Sequence, residues 1–390
     1  MGHQLRTTPE GKPLRVKRVN SRKSQLRLLF ATSVFSTDGT VESFMADVVR
    51  EISKYVEAVY VVSLMGKDGG LPNNVLVKVC PYEKPVLRLL WLFYVVLAVT
   101  LKYRINVYLS YISEITSIVV SLAALITRVK HYFWYCSIYT KPRLRVGIAL
   151  KMAHMVFTCS DFTRELYARM WSVKREKIEN IKHGVSVTKF TPTSIPELVL
   201  LGQSTRPTIV SVGRFSPVKE WHMLVYALHK IKKQYPSVQV FAIGETPRFS
   251  ENVRYTETLR DEIRKLSLED NWVFMGPIPN NQLYKYYNLA DVCVFPGYAY
   301  KTIIEALLIG RPTLISRKSA RIIFGSRLTD NVRLLTFEDE GELAEITIKA
   351  LKRDPSILDA TTRATSIIRK EFSMHAFVQR LLTKITLPRG

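Results

Sequence analysis

Val212-Gly213-Arg214-Phe215-Ser216-Pro217-Val218-Lys219-Glu220 lies between an apolar run, Pro207 to Val212, and a helical pattern that starts near Lys219. A strand, a glycine turn and a helix start together offer unpaired backbone N–H groups and positive dipole to an anion. Arg214 and Lys219 would add charge-assisted hydrogen bonds at that turn. Without an anion the two cations would oppose the helix dipole, so the turn reads as a phosphate site rather than as ordinary surface. Downstream, Lys301 and Glu305 open a second helix in KTIIEALLIGRPTLIS, residues 301–316.

Around this turn, short apolar runs alternate with amphipathic stretches, the pattern of a mainly parallel sheet wrapped by helices. In the C-terminal half the strands are expected at Thr208–Val212, Val238–Ile243, Trp272–Met275, Val292–Phe295 and Pro312–Ile315, with helices near 219–234, 254–267, 280–289 and 301–309. The N-terminal half repeats the logic, with strands expected at Leu26–Ala31, Ala58–Ser63, Ile105–Ser110, Val129–Cys136, Met155–Cys159 and Ile178–Lys182. The fold class is therefore α/β: two Rossmann-like, doubly wound domains facing a cleft, with ligands at the carboxyl ends of the strands. The expected division is a basic tail at 1–24, a first domain at 25–190, a linker at 191–206, a second domain at 207–370 and a final helix at 371–390. Residues 342–385 read as largely helical, with a break at Pro355.

The chain has 390 residues, 47% of them hydrophobic, which is enough for two packed cores. Its formal net charge of +24 implies partners of opposite sign: phosphates, acidic lipids or nucleic acid. Cys80, Cys136, Cys159 and Cys293 sit in or beside apolar runs and form no CxxC pair, which fits a reduced cytoplasmic interior and neither disulfides nor zinc. The first 27 residues carry eight Lys or Arg against one acid and no apolar core, so they read as a tail rather than a signal peptide, either solvated or touching anionic membrane.

Leu89–Leu101 contains 13 uncharged residues between Lys84, Arg88, Lys102 and Arg104. At about 1.5 Å per residue it covers roughly 20 Å, short of the roughly 30 Å hydrocarbon core of a bilayer. A spanning helix is not expected. A helix in the first domain's core and an interfacial helix with basic flanks both remain open.

Three ordered segments, SVGRFSPVKEWHMLVYAL (211–228), DNWVFMGPIPNNQLYKYYNLADVCVFPG (270–297) and IIEALLIGRPTLIS (303–316), resemble the donor half of retaining GT-B glycosyltransferases of family 4. The resemblance extends less evenly from about residue 26 to 385. It implies a GT-B fold whose last helix crosses back onto the first domain. It also implies that Gly213, Arg214 and Lys219 bind the diphosphate of a nucleotide sugar, with Arg214 and Lys219 stabilising the leaving group, and that Glu305 accepts hydrogen bonds from the ribose. Lys301 would meet phosphate or sugar. In the first domain, Ser36-Thr37-Asp38-Gly39-Thr40-Val41-Glu42 resembles the family's Gly-Gly-x-Glu loop, with Gly39 near the donor phosphates; an ordinary strand-to-helix turn is the alternative. Phe157–Thr163 resembles a segment in which Ser160 caps a helix, and Ile181–Pro192 one in which Gly184 turns beside the donor cleft and His183 is structural.

Two departures from the family stand out. Its first Glu, eight positions before Glu305, is Gly297 here, followed by Tyr298, Ala299 and Tyr300 in place of Gly-Phe-Gly. Its histidine after the fourth strand is also missing: Ser137 takes that place, His131 lies at the strand's other end, and Tyr135 or Ser137 could face the cleft. The expected activity is that of a hexosyltransferase, with the nucleotide sugar as substrate, no cofactor and no metal, since there is no Asp-x-Asp cluster. The expected acceptor is lipid-linked or presented at an anionic membrane surface, with the chain cytoplasmic or peripheral at the inner face. The alternatives are a catalytically inactive GT-B partner subunit and a basic nucleic-acid binder. The dispersed cations form no aromatic-interleaved platform, so nucleic acid is not expected as a partner.

Overall fold

The computed structural model describes residues 24–37, 43–67, 69–138, 141–193, 206–329 and 332–386. The basic tail and most of the 191–206 linker lie outside them.

The first half contains β1 (Ser24–Thr32), β2 (Phe35–Ser36), β3 (Val56–Ser63), β4 (Gly66–Lys67), β5 (Val75–Val79), β6 (Val107–Tyr111), β7 (Lys130–Trp134), β8 (Met155–Thr158) and β9 (Ile178–Asn180). Seven of these form one parallel sheet in the order β5-β3-β1-β6-β7-β8-β9, while β2 and β4 pair separately. The second half contains β10 (Thr208–Val212), β11 (Gln239–Ile243), β12 (Trp272–Gly276), β13 (Val292–Phe295), β14 (Thr313–Ser316) and β15 (Thr336–Phe337), ordered β12-β11-β10-β13-β14-β15. Every strand pair is parallel, and each connection between sequential strands of a sheet carries a helix except that from β3 to β5, so both faces are covered. That coverage explains the near-continuous apolar strands such as Thr208–Val212, buried throughout. Four strands escaped the sequence reading, among them the two-residue β2 and β4. β5 is a half-exposed edge strand interrupted by Lys78, and β15 has only two residues.

The order reverses between β1 and β6 in one sheet and between β10 and β13 in the other. Each reversal opens a crevice at the strands' carboxyl ends, where helices depart to opposite faces.

The final segment ties the halves together. Helix Glu340–Leu351 ends before Pro355, which opens helix Pro355–Glu371 with Asp354 as its N-cap, accepting from the Ser356 amide at 2.9 Å. The chain then crosses at Phe372–Ser373. Val185 N donates to Phe372 O at 2.8 Å and Met374 N to Val185 O at 2.9 Å. Helix Met374–Thr386 buries Met374, Phe377, Val378, Leu381 and Ile385 in the first half's core with Phe44, Trp134 and Phe157. Each large apolar side chain so buried contributes about 1.5–3 kcal/mol. Arg380 reinforces the crossing by donating to the carbonyls of Ile181 (2.9 Å), Lys182 (3.2 Å) and Glu371 (2.8 Å). Gly184 serves this crossing: a Cβ there would lie 2.6 Å from Phe377 Cβ.

Candidate active site

The turn after β10 is shaped by its own residues. Pro217–Lys219 make a single 3-10 turn, Glu220 adopts left-handed φ 51°, and the helix begins only at Trp221. Lys219 therefore precedes the helix instead of opening it, because left-handed Glu220 interrupts the helical path. Trp221 is buried and its Nε1 donates to Arg214 O at 3.0 Å, which anchors the backbone of the turn. The loop after β11 closes against it: Phe215 N donates to Glu245 O at 2.8 Å, and a Cβ at Gly244 (φ +158°) would sit 1.9 Å from Gly213 O. No side chain fits at that crossing of two backbones.

The Lys219 stem runs over Gly213, where a Cβ would be 3.4 Å from its Cδ and Cε. Its Nζ donates to Tyr298 O. Burial, and then the charge of Arg214, pull Lys219 down to about 8. Arg214 itself is exposed. Among the described residues no carboxylate ion-pairs with either group, and the two cations stand close enough for the Arg214 charge to act on Lys219.

The chain after β13 packs tightly against this turn and leads on to Glu305. A Cβ at Gly297 would lie 2.2 Å from Val218 O and 2.5 Å from Lys219 Cα, so a carboxylate-bearing side chain cannot occupy this position without moving the turn at 213–220. Helix Tyr300–Ile309 then carries Lys301 and Glu305 one turn apart, 3.5 Å between Nζ and Oε1. Glu305 is fully buried. Its Oε1 accepts from Asn280 Nδ2 at 3.0 Å, whereas its Oε2 has no partner. Burial pushes this carboxyl above the usual range, against the opposing pull of Lys301 and Asn280. A buried acceptor left open in this way suits a ligand hydroxyl.

Across the cleft, Phe44, Tyr111, Cys136, Cys159 and His183 meet Tyr298, Tyr300 and Lys301 around a cavity of about 220 Å³. Tyr300 bridges the halves: its hydroxyl donates to Cys159 O at 3.1 Å and accepts from His183 N at 3.0 Å. Lys301 Nζ stands 5.0 Å over the Phe44 ring. His183 stacks on Phe44 at 4.4 Å, and burial followed by the Lys301 charge drops it to about 3, so its ring is neutral at pH 7. Its Nδ1 has no partner. The sequence reading missed Phe44, Asn280 and both tyrosines as cleft residues. The available signal was the pair of tyrosines standing where the resembled family has glycines.

His131 lies elsewhere. It bonds Ser110 and Ser121 at 2.8 Å each between strands and helix, and burial pulls it to about 3. Tyr135 is buried in the first half's core, donating to Glu114 at 3.2 Å, and so does not face the cleft. Ser160 caps helix Asp161–Trp171 by accepting from Thr163 N at 3.2 Å. Gly39 lies outside the described residues. A larger cavity of about 850 Å³, between Phe162 and the chain after β14, contains none of Arg214, Lys219, Lys301 or Glu305. Of its three lining cations, Arg317 and Lys318 pair with Glu338, Glu342 and Glu220, while Arg321 makes no ion pair among the described residues.

Residues 199–354, which carry Arg214, Lys219, Lys301 and Glu305, match the family described as glycosyl transferases group 1. The chain is 26% identical over 147 residues to the GDP-mannose-dependent alpha-(1-6)-phosphatidylinositol monomannoside mannosyltransferase of Mycolicibacterium smegmatis, covering 37% of this chain and 36% of that one. Matches to the first curated relatives span between 36% and 39% of their length. Among solved structures, a glycosyltransferase from Rickettsia africae superposes with TM-score 0.72 at 17% identity, covering 92% of this chain and 97% of that one. Anabaena HepE in complex with UDP-glucose superposes with TM-score 0.70 at 16% identity, covering 93% and 99%. Together with the two parallel sheets and the crossing helix, these superpositions establish the GT-B fold.

Proposed function

We propose that this chain is a hexosyltransferase that moves a sugar from a nucleotide-diphosphate donor to a lipid-linked or membrane-presented acceptor, with retention at the anomeric carbon as in family 4. The observation that carries the reading is the uncompensated Arg214–Lys219 pair at the β10–β13 crevice, packed against the segment that presents the open Oε2 of Glu305. Breaking the bond between the anomeric carbon and the phosphate oxygen sends its electron pair to the diphosphate. Preorganised cations meet that growing charge and so stabilise the transition state more than the ground state. The acceptor oxygen forms the new bond, and its proton passes to the departing diphosphate oxygen. Glu305 orients the nucleoside by accepting from ribose hydroxyls. Lys301, held between Glu305 and Phe44, meets the donor's phosphate or sugar. A nucleotide-sugar donor is supported by the UDP-glucose in the HepE structure, and a lipid acceptor by the phosphatidylinositol monomannoside in the mycobacterial enzyme's name.

A catalytically inactive partner subunit is the second reading. It is favoured by the lack of room for a carboxylate at Gly297 and by the tyrosines that close the cleft. A panel of UDP-, GDP- and ADP-sugars separates the two. Slow hydrolysis of one donor supports the enzyme, binding without hydrolysis supports the inactive subunit, and no binding of any donor sinks both.

A further inference from the structure

Three helices cover one face of the first sheet: Pro85–Tyr103, Glu114–Thr127 and Leu144–Met152. They pack side by side, and their inner faces supply Leu92, Val96, Val99, Val120, Ala149 and Leu150 to the core. Their outer faces are not those of an ordinary surface helix. Leu90, Tyr94 and Leu101 on the first, Leu125 and Ile126 on the second and Leu144 on the third are each 62% to 80% exposed. A soluble surface helix normally turns polar residues outward, and a contiguous apolar patch marks an interaction site.

Charge identifies what the patch fits. Between residues 84 and 151 the chain has ten Lys or Arg and a single acid, Glu114. The cations stand at the helix ends: Lys84, Lys102, Arg104, Arg128, Lys141 and Arg145 are all exposed. The stripes between them are free of charge from Leu89 to Leu101 and from Ile115 to Thr127. An apolar band rimmed by long cationic side chains suits the boundary between acyl chains and anionic headgroups. A second copy of the chain would bring two like-charged rims together.

Helix Pro85–Tyr103 has the length and composition to cross a membrane, yet its inner face is committed to the core, and Thr100 Oγ1 lies 2.7 Å from Tyr108 OH on β6. It can lie on a bilayer but cannot span one in this fold. All three helices start at the carboxyl ends of strands, so one end of the patch borders the cleft.

We infer that the outer faces of these three helices form a monotopic docking surface for an anionic lipid bilayer. This deepens the membrane-presented acceptor of the reading above, because it places the cleft mouth beside the headgroups. The test is co-sedimentation of the full chain with phosphatidylglycerol/phosphatidylcholine vesicles and with pure phosphatidylcholine vesicles, at about 0.05 M and 0.5 M salt. The expected result is pelleting with the anionic vesicles that weakens at high salt. It should fall at least tenfold in Leu125→Glu/Ile126→Glu and in Lys102→Glu/Arg128→Glu. These positions are exposed and remote from the phosphate turn, so nucleotide binding should be unchanged. Vesicle binding that matches wild type in both variants would overturn the assignment, as would absence of pelleting by wild type. A lipid-free dimer that both variants dissociate, with no vesicle binding, would overturn it in favour of a self-interface. Vesicle binding needs no turnover, so failure of the donor panel leaves this result readable.

Discussion

Replacing Lys219 with Met keeps the stem that packs over Gly213 and removes only the ammonium. A hydrogen bond to a charged group is worth about 1.5–3 kcal/mol net, so nucleoside-diphosphate affinity should fall roughly 10- to 150-fold. If the leaving diphosphate gathers charge against this ammonium, kcat should fall further, by about 10²–10³ as for other lost oxyanion donors. The pH dependence supplies a second signature. Lys219 sits at about 8 without donor, so the phosphate-binding ammonium is lost as pH rises past that value and wild-type affinity should weaken there. Lys219→Arg stays charged and should lose this alkaline limb. The stability control has a definite sign. A lysine depressed below its unfolded value costs folding free energy while charged, and that cost fades as pH rises from about 8 toward 10.5. Lys219→Met should therefore not lower the melting temperature at pH 7. Calorimetric titration with UDP and GDP across pH 6–10, beside thermal melts, measures all of this. An affinity within twofold of wild type, or an unchanged alkaline limb in Lys219→Arg, would refute the reasoning.

Glu305→Gln should raise the melting temperature by a few degrees at pH 8 while weakening nucleoside binding at least tenfold. Burial lifts this carboxyl's folded-state value, so its ionised form costs stability above the usual carboxylate range, and the cost disappears as pH falls; a destabilised variant with normal binding would contradict the assignment. Gly297→Ala puts a methyl group against Val218 O and should impair nucleoside binding together with stability, read by titration and melting; neutrality in both would show that the turn is not constrained as described. Arg380→Ala strands three carbonyls at the crossing and should cost about 2–4 kcal/mol in denaturant unfolding, with faster proteolysis near residues 181–186. Gly184→Ala drives a methyl group into Phe377 and should weaken docking of helix Met374–Thr386, seen as faster amide exchange in that helix.

Much of the fold was legible because buried parallel strands leave unbroken apolar runs: Thr208–Val212 and Val292–Phe295 match their expected bounds. The edge strand β5 was not, since one-sided pairing lets Lys78 interrupt its pattern. The turn after β10 was legible from Gly213 at the end of an unbroken apolar run. The left-handed break at Glu220 was not, because nothing local marks a glutamate for positive φ. Residues assembled across the cleft were hardest to read. Phe44 and His183 lie far apart in sequence and meet Lys301 only through packing of the two halves. Gly184 was read as a turn, and its need to leave room for Phe377, nearly two hundred positions away, was not legible. The apolar stretch at Leu89–Leu101 admitted a core or an interfacial helix, and the structure buries one face of that helix in the core while leaving Leu90, Tyr94 and Leu101 exposed on the other.

The most direct test of the phosphate site is a crystal structure with a bound nucleoside diphosphate sugar. The account predicts phosphate oxygens within hydrogen-bond distance of both Arg214 and Lys219 and a ribose hydroxyl on Glu305 Oε2. Diphosphate density in the larger cavity beside Arg317, with Arg214 turned to solvent, would contradict it.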